Sequence, residues 1–385
     1  MVDRVMAGVR PTGWFARWSR LLPAASLFAI LPAAMGQQVV AHAAALPGTA
    51  FSGTYANAAG TRSYVGYVPS GYHSGTAVPL VVALHGCTES SQVFRQLSHL
   101  DSLAEARDFI VVYPNQDSHA NPMTCWNWFQ AQDMKRGSGE PAIIAGLTQW
   151  VESHYSVDPN RVYLTGFSAG GAMADVMGAT YPDLYAAIGI GSGIQYGGID
   201  PTLSPTKAGQ EAFDAMGSHA REMPVLVFQG GKDNIVPPHD ASDLVQQWQT
   251  TDNLAAAYTV PSSPTQTANQ LSSGGQAYTV NHYANSGGQD VIQSWMVPSM
   301  SHAWSGGCGC QSYAYPSGPD ESSAMYDFFM DHPMSTATAG SAPGWSIPGW
   351  PPAGWTFPTS PVGAGAFPWP LTGWPLSALR IPGLI

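Results

Sequence analysis

Between about residue 50 and residue 334, short apolar runs alternate with helix-compatible segments, and this alternation constrains the fold more than any other property of the chain. "PLVVALHG" and "FIVVYP" are continuously apolar, as strands buried on both faces are, whereas "TRSYVGYVP" alternates with period two. "EPAIIAGLTQWVESHY" has helical apolar periodicity and opens on Pro141, where a missing N–H costs little. "RVYLTG", "YAAIGIGSG" and "PVLVFQG" read as further strands, and "AGGAMADVMGATYP", "ASDLVQQWQT" and the closing "SSAMYDFFMDH" as helices. "AYTVNHYA" and "DVIQSWMVP" read as a late hairpin, and the polar stretch 259–276, "TVPSSPTQTANQLSSGGQ", as a surface insertion. Strand and helix in turn predict one α/β domain with a mostly parallel sheet and helices on both faces.

Both ends differ from this pattern. Arg4, Arg10, Arg17 and Arg20 precede the Pro-broken apolar stretch "LLPAASLFAILPAAMG" and an A-x-A site in "AHAAA", so residues 1 to about 43 are expected to be a signal peptide. Secretion agrees with a low charged fraction of 10% and with four cysteines, all downstream of that segment. The rest of the chain holds ten basic and 24 acidic residues, a formal charge of −14 that argues against nucleic-acid partners. No C-x-x-C pair is accompanied by a second ligand pair, so neither structural zinc nor any other metal or cofactor is expected. After Met334 a Gly-Trp unit recurs at Trp345, Trp350 and Trp355, and Arg380 is the sole charge. Residues 335–385 are therefore expected to be a poorly ordered tail outside the domain 44–334, with adsorption to an insoluble surface as one use for its tryptophans.

The chemistry starts at "LTGFSAGGAMA", residues 164–174, where Gly166-Phe167-Ser168-Ala169-Gly170 joins an apolar strand to a helix of small residues. A chain with 42 glycines can match Gly-x-Ser-x-Gly by chance, so the context decides. A sharp strand-to-helix turn lifts a serine hydroxyl above the sheet as a nucleophile, but the hydroxyl needs a base and an orienting carboxylate, which follow in the order acid, then His. Asp233, in "VLVFQGGKDNIVPP", lies just beyond a strand end; Asp240 and Asp252 fall on or beside the next helix. His302, in "VPSMSHAWSGG", sits on a Gly-bounded loop and is preferred as base over His219, His239 and His282. The N–H of Ala169 and that of Cys87, in the early loop "VVALHGCTES", are the expected oxyanion donors. Trp126, Trp128 and Trp304 flank these segments and serve either as an apolar wall for an acyl group or as core. Together these features describe a serine hydrolase with an α/β-hydrolase fold.

"LHGCTES", "YPNQ", "CWNWF", "RGSGEPAIIAGL", "VYLTGFSAGGAMA", "GSGIQYG", "VLVFQGGKDNIVPP" and "SHAWSGG" also resemble the extracellular PHB depolymerase family esterases, relatives of the feruloyl and acetylxylan esterases, over roughly residues 50–330. The resemblance implies Ser168 as nucleophile, Asp233 as acid, His302 as base, the Cys87 and Ala169 amides as oxyanion donors, and a Cys87–Cys125 disulfide. Cys308 and Cys310 are left with one residue between them, so a bond between the two would be strained, and two free thiols or an intermolecular bond are the alternatives. The tail does not resemble the linker and substrate-binding domain of many polymer depolymerases. The expected activity is hydrolysis of a poly(3-hydroxybutyrate)-type polyester or its oligomers. Feruloyl or acetylxylan ester hydrolysis is the alternative within the same chemistry, and a non-catalytic surface-binding protein the alternative outside it.

Overall fold

The computed structural model describes residues 46–200 and 202–334. The expected signal peptide and the Gly/Pro/Trp-rich tail lie outside the described residues.

Ten strands form one sheet in the order β1-β2-β4-β3-β5-β6-β7-β10-β9-β8. Its centre comprises β3 (Val78–Leu84), β4 (Ile110–Pro114), β5 (Val157–Phe167), β6 (Ala187–Gly191), β7 (Val225–Gly230) and β10 (Asp290–Val297), all paired in parallel. Antiparallel strands close both flanks: β1 (Thr49–Asn57) on β2 (Gly60–Val68), and β9 (Ala277–Ala284) with β8 (Gln266–Leu271) beside β10. A small parallel pair, β11 (Trp304–Ser305) and β12 (Ala314–Tyr315), follows.

Helices cover both faces, and β3 shows why its run is continuously apolar. Leu80, Val82 and Leu84 enter one core with Ile144 of α3 (Gly139–His154), Met173 of α4 (Ala169–Thr180) and Trp248 of α6 (His239–Ala255). Val81 and Ala83 enter the other core with Phe94 of α1 (Ser91–Ser98), Ala104 of α2 (Leu100–Arg107) and Phe329 of α7 (Glu321–Asp331). Successive side chains point to opposite faces, so a strand between two helical layers has no polar side. This is the α/β-hydrolase fold.

The stretch 259–276 differs from its sequence reading. It holds β8, which pairs only with β9 at the sheet's edge. Both of its faces meet solvent, and polar cross-strand pairs replace apolar packing: Thr267 with Asn281, Asn269 with Thr279, and Gln270 with Tyr278. β1, α1, α2 and α5 (Pro205–Met216) are further elements that the sequence reading did not assign.

Candidate active site

β5 ends at Phe167, and Ser168 follows with φ +55° and ψ −119°, a conformation that ordinary side chains avoid. The surrounding glycines are required by close backbone approach. A Cβ on Gly166 would stand 2.2 Å from Gly170 O, and one on Gly170 would stand 2.2 Å from Leu84 O. Strand and helix can meet at this angle only without those side chains. The Ser168 N–H is held by Gly191 O at 2.8 Å, and its carbonyl accepts the Ala172 N–H at 2.9 Å, so the strained residue is tied on both sides. Ser168 is 8% exposed.

The turns after β7 and β10 bring the other two groups together. A Cβ on Gly230 would stand 2.5 Å from Met300 O, and Gly231 and Lys232 donate to Val297 O and Met300 O. Backbone packed on backbone thus fixes the Asp233 turn against the His302 loop. His302 Nδ1 donates to Asp233 Oδ2 at 2.7 Å, which leaves Nε2 as the acceptor for a hydroxyl proton. Asp233 is 4% exposed, yet every lone-pair direction is used: Oδ1 accepts the Ile235 and Val236 N–H groups, each at 2.9 Å, and Oδ2 also accepts Gln229 Nε2 at 3.2 Å. These donors offset the cost of burying the carboxyl and fix its orientation towards His302. The Phe167 ring, next to Ser168 in the chain, packs on the His302 ring with centroids 4.8 Å apart. No hydrogen bond joins Ser168 Oγ to His302 among the described residues, and such contacts commonly tighten only when substrate is bound.

The competing groups are elsewhere. His282 pairs with Asp290, and His239 is exposed at the start of α6. Asp252 is buried against the Met223 N–H, and Asp240 lies in the first turn of α6.

The loop after β3 turns tightly beside Ser168. Glu89 N–H donates to Gly86 O at 3.4 Å, so Cys87 and Thr88 occupy the turn's centre, with Thr88 at φ +62°. The amides of Cys87 and Ala169 have no hydrogen-bond partner among the described residues, which leaves both N–H groups free to donate. His85 anchors the turn: its Nδ1 donates to Gly86 O at 2.8 Å and its Nε2 accepts the Gln116 N–H at 3.0 Å. Burial pushes the His85 pKa down to about 4, so the ring that makes both bonds is neutral.

Cys87 is bonded to Cys125, which ties the turn to the segment carrying Trp126, Asn127 and Trp128. Glu140 of α3 holds that segment by accepting Asn127 N–H and Nδ2 at 2.6 and 2.8 Å, with Arg62 at 3.1 Å. Cys308 and Cys310 also form a disulfide.

The tryptophans divide differently from the expectation of an acyl wall. Trp126 and Trp304 are fully buried, so they present no surface to an acyl group. Trp126 packs on His85, and Trp304 packs edge-on against Phe94 and Phe167 and donates to Ser322 Oγ. Both support the site from beneath, and Trp128 keeps 5% exposure. Gln229, His85 and Phe167 are contributors that sequence reasoning missed; only their position beside the motifs could have marked them.

The profile of the family described as Esterase PHB depolymerase matches residues 62–259, just over half of the chain. The chain belongs to this family. Among curated relatives of this esterase family member, the poly(3-hydroxyalkanoate) depolymerase C of Paucimonas lemoignei is 31% identical over 251 residues, covering 61% of this chain and 57% of the relative. Acetylxylan esterase A of Talaromyces purpureogenus is 31% identical over 211 residues, covering 50% and 54%, and feruloyl esterase B of Thermothelomyces thermophilus is 30% identical over 201 residues, covering 47% and 67%. The chain thus spans little more than half the length of the first two. An acetyl xylan esterase structure from Aspergillus awamori shares the fold, with a TM-score of 0.56 at 23% identity over 70% of this chain and 94% of that one.

Proposed function

We propose that this chain is a secreted serine esterase that hydrolyses short-chain polyhydroxyalkanoate-type esters, polymer or oligomer, through an acyl-enzyme on Ser168. The observation that carries the reading is the Asp233–His302 pair, joined at 2.7 Å and packed through Phe167 onto a serine at a strained strand-to-helix turn.

In this reading His302 Nε2 takes the Ser168 proton as Oγ attacks the ester carbonyl, and the carbonyl oxygen becomes an oxyanion held by the Cys87 and Ala169 N–H groups. Asp233 stabilises the imidazolium through Nδ1. Collapse of the intermediate breaks the ester C–O bond, and His302 returns the proton to the leaving alkoxide. Water then repeats the sequence on the acyl-enzyme, releasing the acid and restoring Ser168.

The depolymerase relative, similar over more of this chain than the acetylxylan or feruloyl esterases, supports the polyester substrate. The second reading, ferulate or acetate esters on plant polysaccharide, is favoured by those same esterase relatives and by the fold neighbour. Secretion is supported by the N-terminal pattern and the two disulfides, and the tail's tryptophans fit recruitment to an insoluble substrate. A panel of p-nitrophenyl butyrate, amorphous polyhydroxybutyrate film, methyl ferulate and acetylated xylan tests the substrate class. Film clearing with little action on the plant esters is the expected result, and the reverse preference rejects the polyester reading.

A further inference from the structure

The turn that carries Cys87 contains a carboxyl that the mechanism above does not use. Glu89 is 6% exposed, and its Oε2 accepts the Gly86 N–H at 2.9 Å. Its Oε1 is sealed from solvent and has no hydrogen-bond partner among the described residues. The carboxyl also lies close to the nucleophile: at the point where a Cβ of Gly86 would sit, Glu89 Oε2 is 3.2 Å away and Ser168 Cβ 3.3 Å. The backbone of Glu89 is fixed independently, since its carbonyl accepts Thr124 Oγ1 at 3.0 Å and Thr88 N–H donates to Met123 O at 2.7 Å.

We propose that Glu89 is a positioning residue for ester hydrolysis: it clamps the Gly86 amide so that the next amide, Cys87 N–H, stays aimed at the oxyanion above Ser168. The inference rests on the reading of Ser168 as nucleophile. A peptide unit is planar, so the direction of Cys87 N–H is set by that of Gly86 C=O in the same plane. Gly86 O is held by His85 Nδ1 and by Glu89 N–H, and the preceding peptide is held through Gly86 N–H by Glu89 Oε2. Without the carboxyl, glycine's wide backbone freedom lets that preceding peptide rotate, and the donor swings with it. An oxyanion donor works because it is already in place when the charge develops.

Burial pushes the Glu89 pKa up to about 7, against the opposing effect of the Gly86 N–H, so in mildly acidic solution the acceptor is largely an uncharged acid. An amide carbonyl at the same reach reproduces it. The titratable neighbours are His85, held neutral by its own burial, and His302, reached across the Phe167 ring.

The full chain carrying Glu89→Gln, Glu89→Asp or Glu89→Met is compared with the parent on p-nitrophenyl butyrate. Gln retains the acceptor at its full reach, Asp withdraws it by one methylene, and Met removes it. The expected result is kcat within about threefold of the parent for Gln. For Asp and Met, kcat falls about 10- to 100-fold with KM within about threefold, below the loss typical of deleting a whole oxyanion donor. If Gln loses as much as Met, or if Asp and Met keep the parent kcat, the proposal is overturned. Should Met fail to fold, the contrast between Asp and Gln decides the same question. Ser168→Ala, run alongside, separates the two readings. If it remains active, the nucleophile assignment falls and the proposal with it; if it is inactive while Asp and Met at position 89 remain fully active, the role of Glu89 alone falls.

Discussion

Asp175→Asn is expected to stabilise the domain by an amount that grows as pH rises from about 4 and levels off above about 7. Asp175 lies on α4, seven residues beyond Ser168, and is fully buried. Its Oδ1 accepts Gln247 Nε2 at 2.9 Å and Trp248 Nε1 at 2.7 Å, whereas Oδ2 has no partner among the described residues. Burial raises its pKa from 3.8 to about 7, an effect that the two donors only partly offset. The unfolded chain gives up this proton near 3.8 and the folded chain keeps it to about 7, so between those values the folded state binds more protons and stability falls as pH rises. At about 1.4 kcal/mol per pH unit the loss is about 4 kcal/mol, complete above pH 7 and absent below pH 4. Asparagine keeps the Oδ1 acceptor and does not ionise. Relative to the parent, Asp175→Asn should change little at pH 4 and gain on the order of 10 °C in melting temperature at pH 8, as followed by circular dichroism. A difference between variant and parent that is flat across pH, or a variant less stable than the parent at pH 8, would refute the reasoning.

Cys125→Ser should lower the melting temperature, since loss of a native disulfide typically costs about 2–5 kcal/mol. It should also lower kcat, because Cys87 then loses its tie to the Trp126–Trp128 segment; thermal melts with p-nitrophenyl butyrate kinetics check both, and unchanged values mean the bond does not hold the turn. Truncation after Met334 should leave hydrolysis of p-nitrophenyl butyrate unchanged and weaken binding to polyhydroxybutyrate film, as measured by pull-down. Loss of soluble-ester activity on truncation would place the tail within the folded domain.

The central sheet was legible because a strand covered on both faces has no reason to alternate: "PLVVALHG" becomes β3, whose side chains feed both cores. The turn at Ser168 was legible because steric need fixes Gly166 and Gly170 in the sequence itself. Asp233 and His302 were legible from chain order and strand ends, and the structure joins them. Other features depend on pairing, length or packing that local composition does not mark. β8 is a strand because β9 pairs with it, and its exposed polar residues leave no apolar signature. α1 and α2 are eight residues each, joined at His99 with φ +57°, and neither is long enough for a helical period to stand out. Trp304 sits two residues from His302, yet a residue's depth beneath a site follows from the packing of Phe94 and α7, which local sequence does not encode. The same holds for Glu89 and Gln229, whose side chains are ordinary in sequence and decisive only through the amide or carboxylate that each one meets.

The central claim is that Ser168 is the nucleophile and His302 its base. Labelling of the folded full-length protein with a fluorophosphonate probe, followed by peptide mass spectrometry, tests it most directly. The account predicts a single adduct on the peptide containing Ser168, labelling slowed strongly by His302→Ala, and ester hydrolysis reduced by about 10⁴- to 10⁶-fold in Ser168→Ala. An adduct on a different serine, or more than a few per cent of the parent activity remaining in Ser168→Ala, would contradict it.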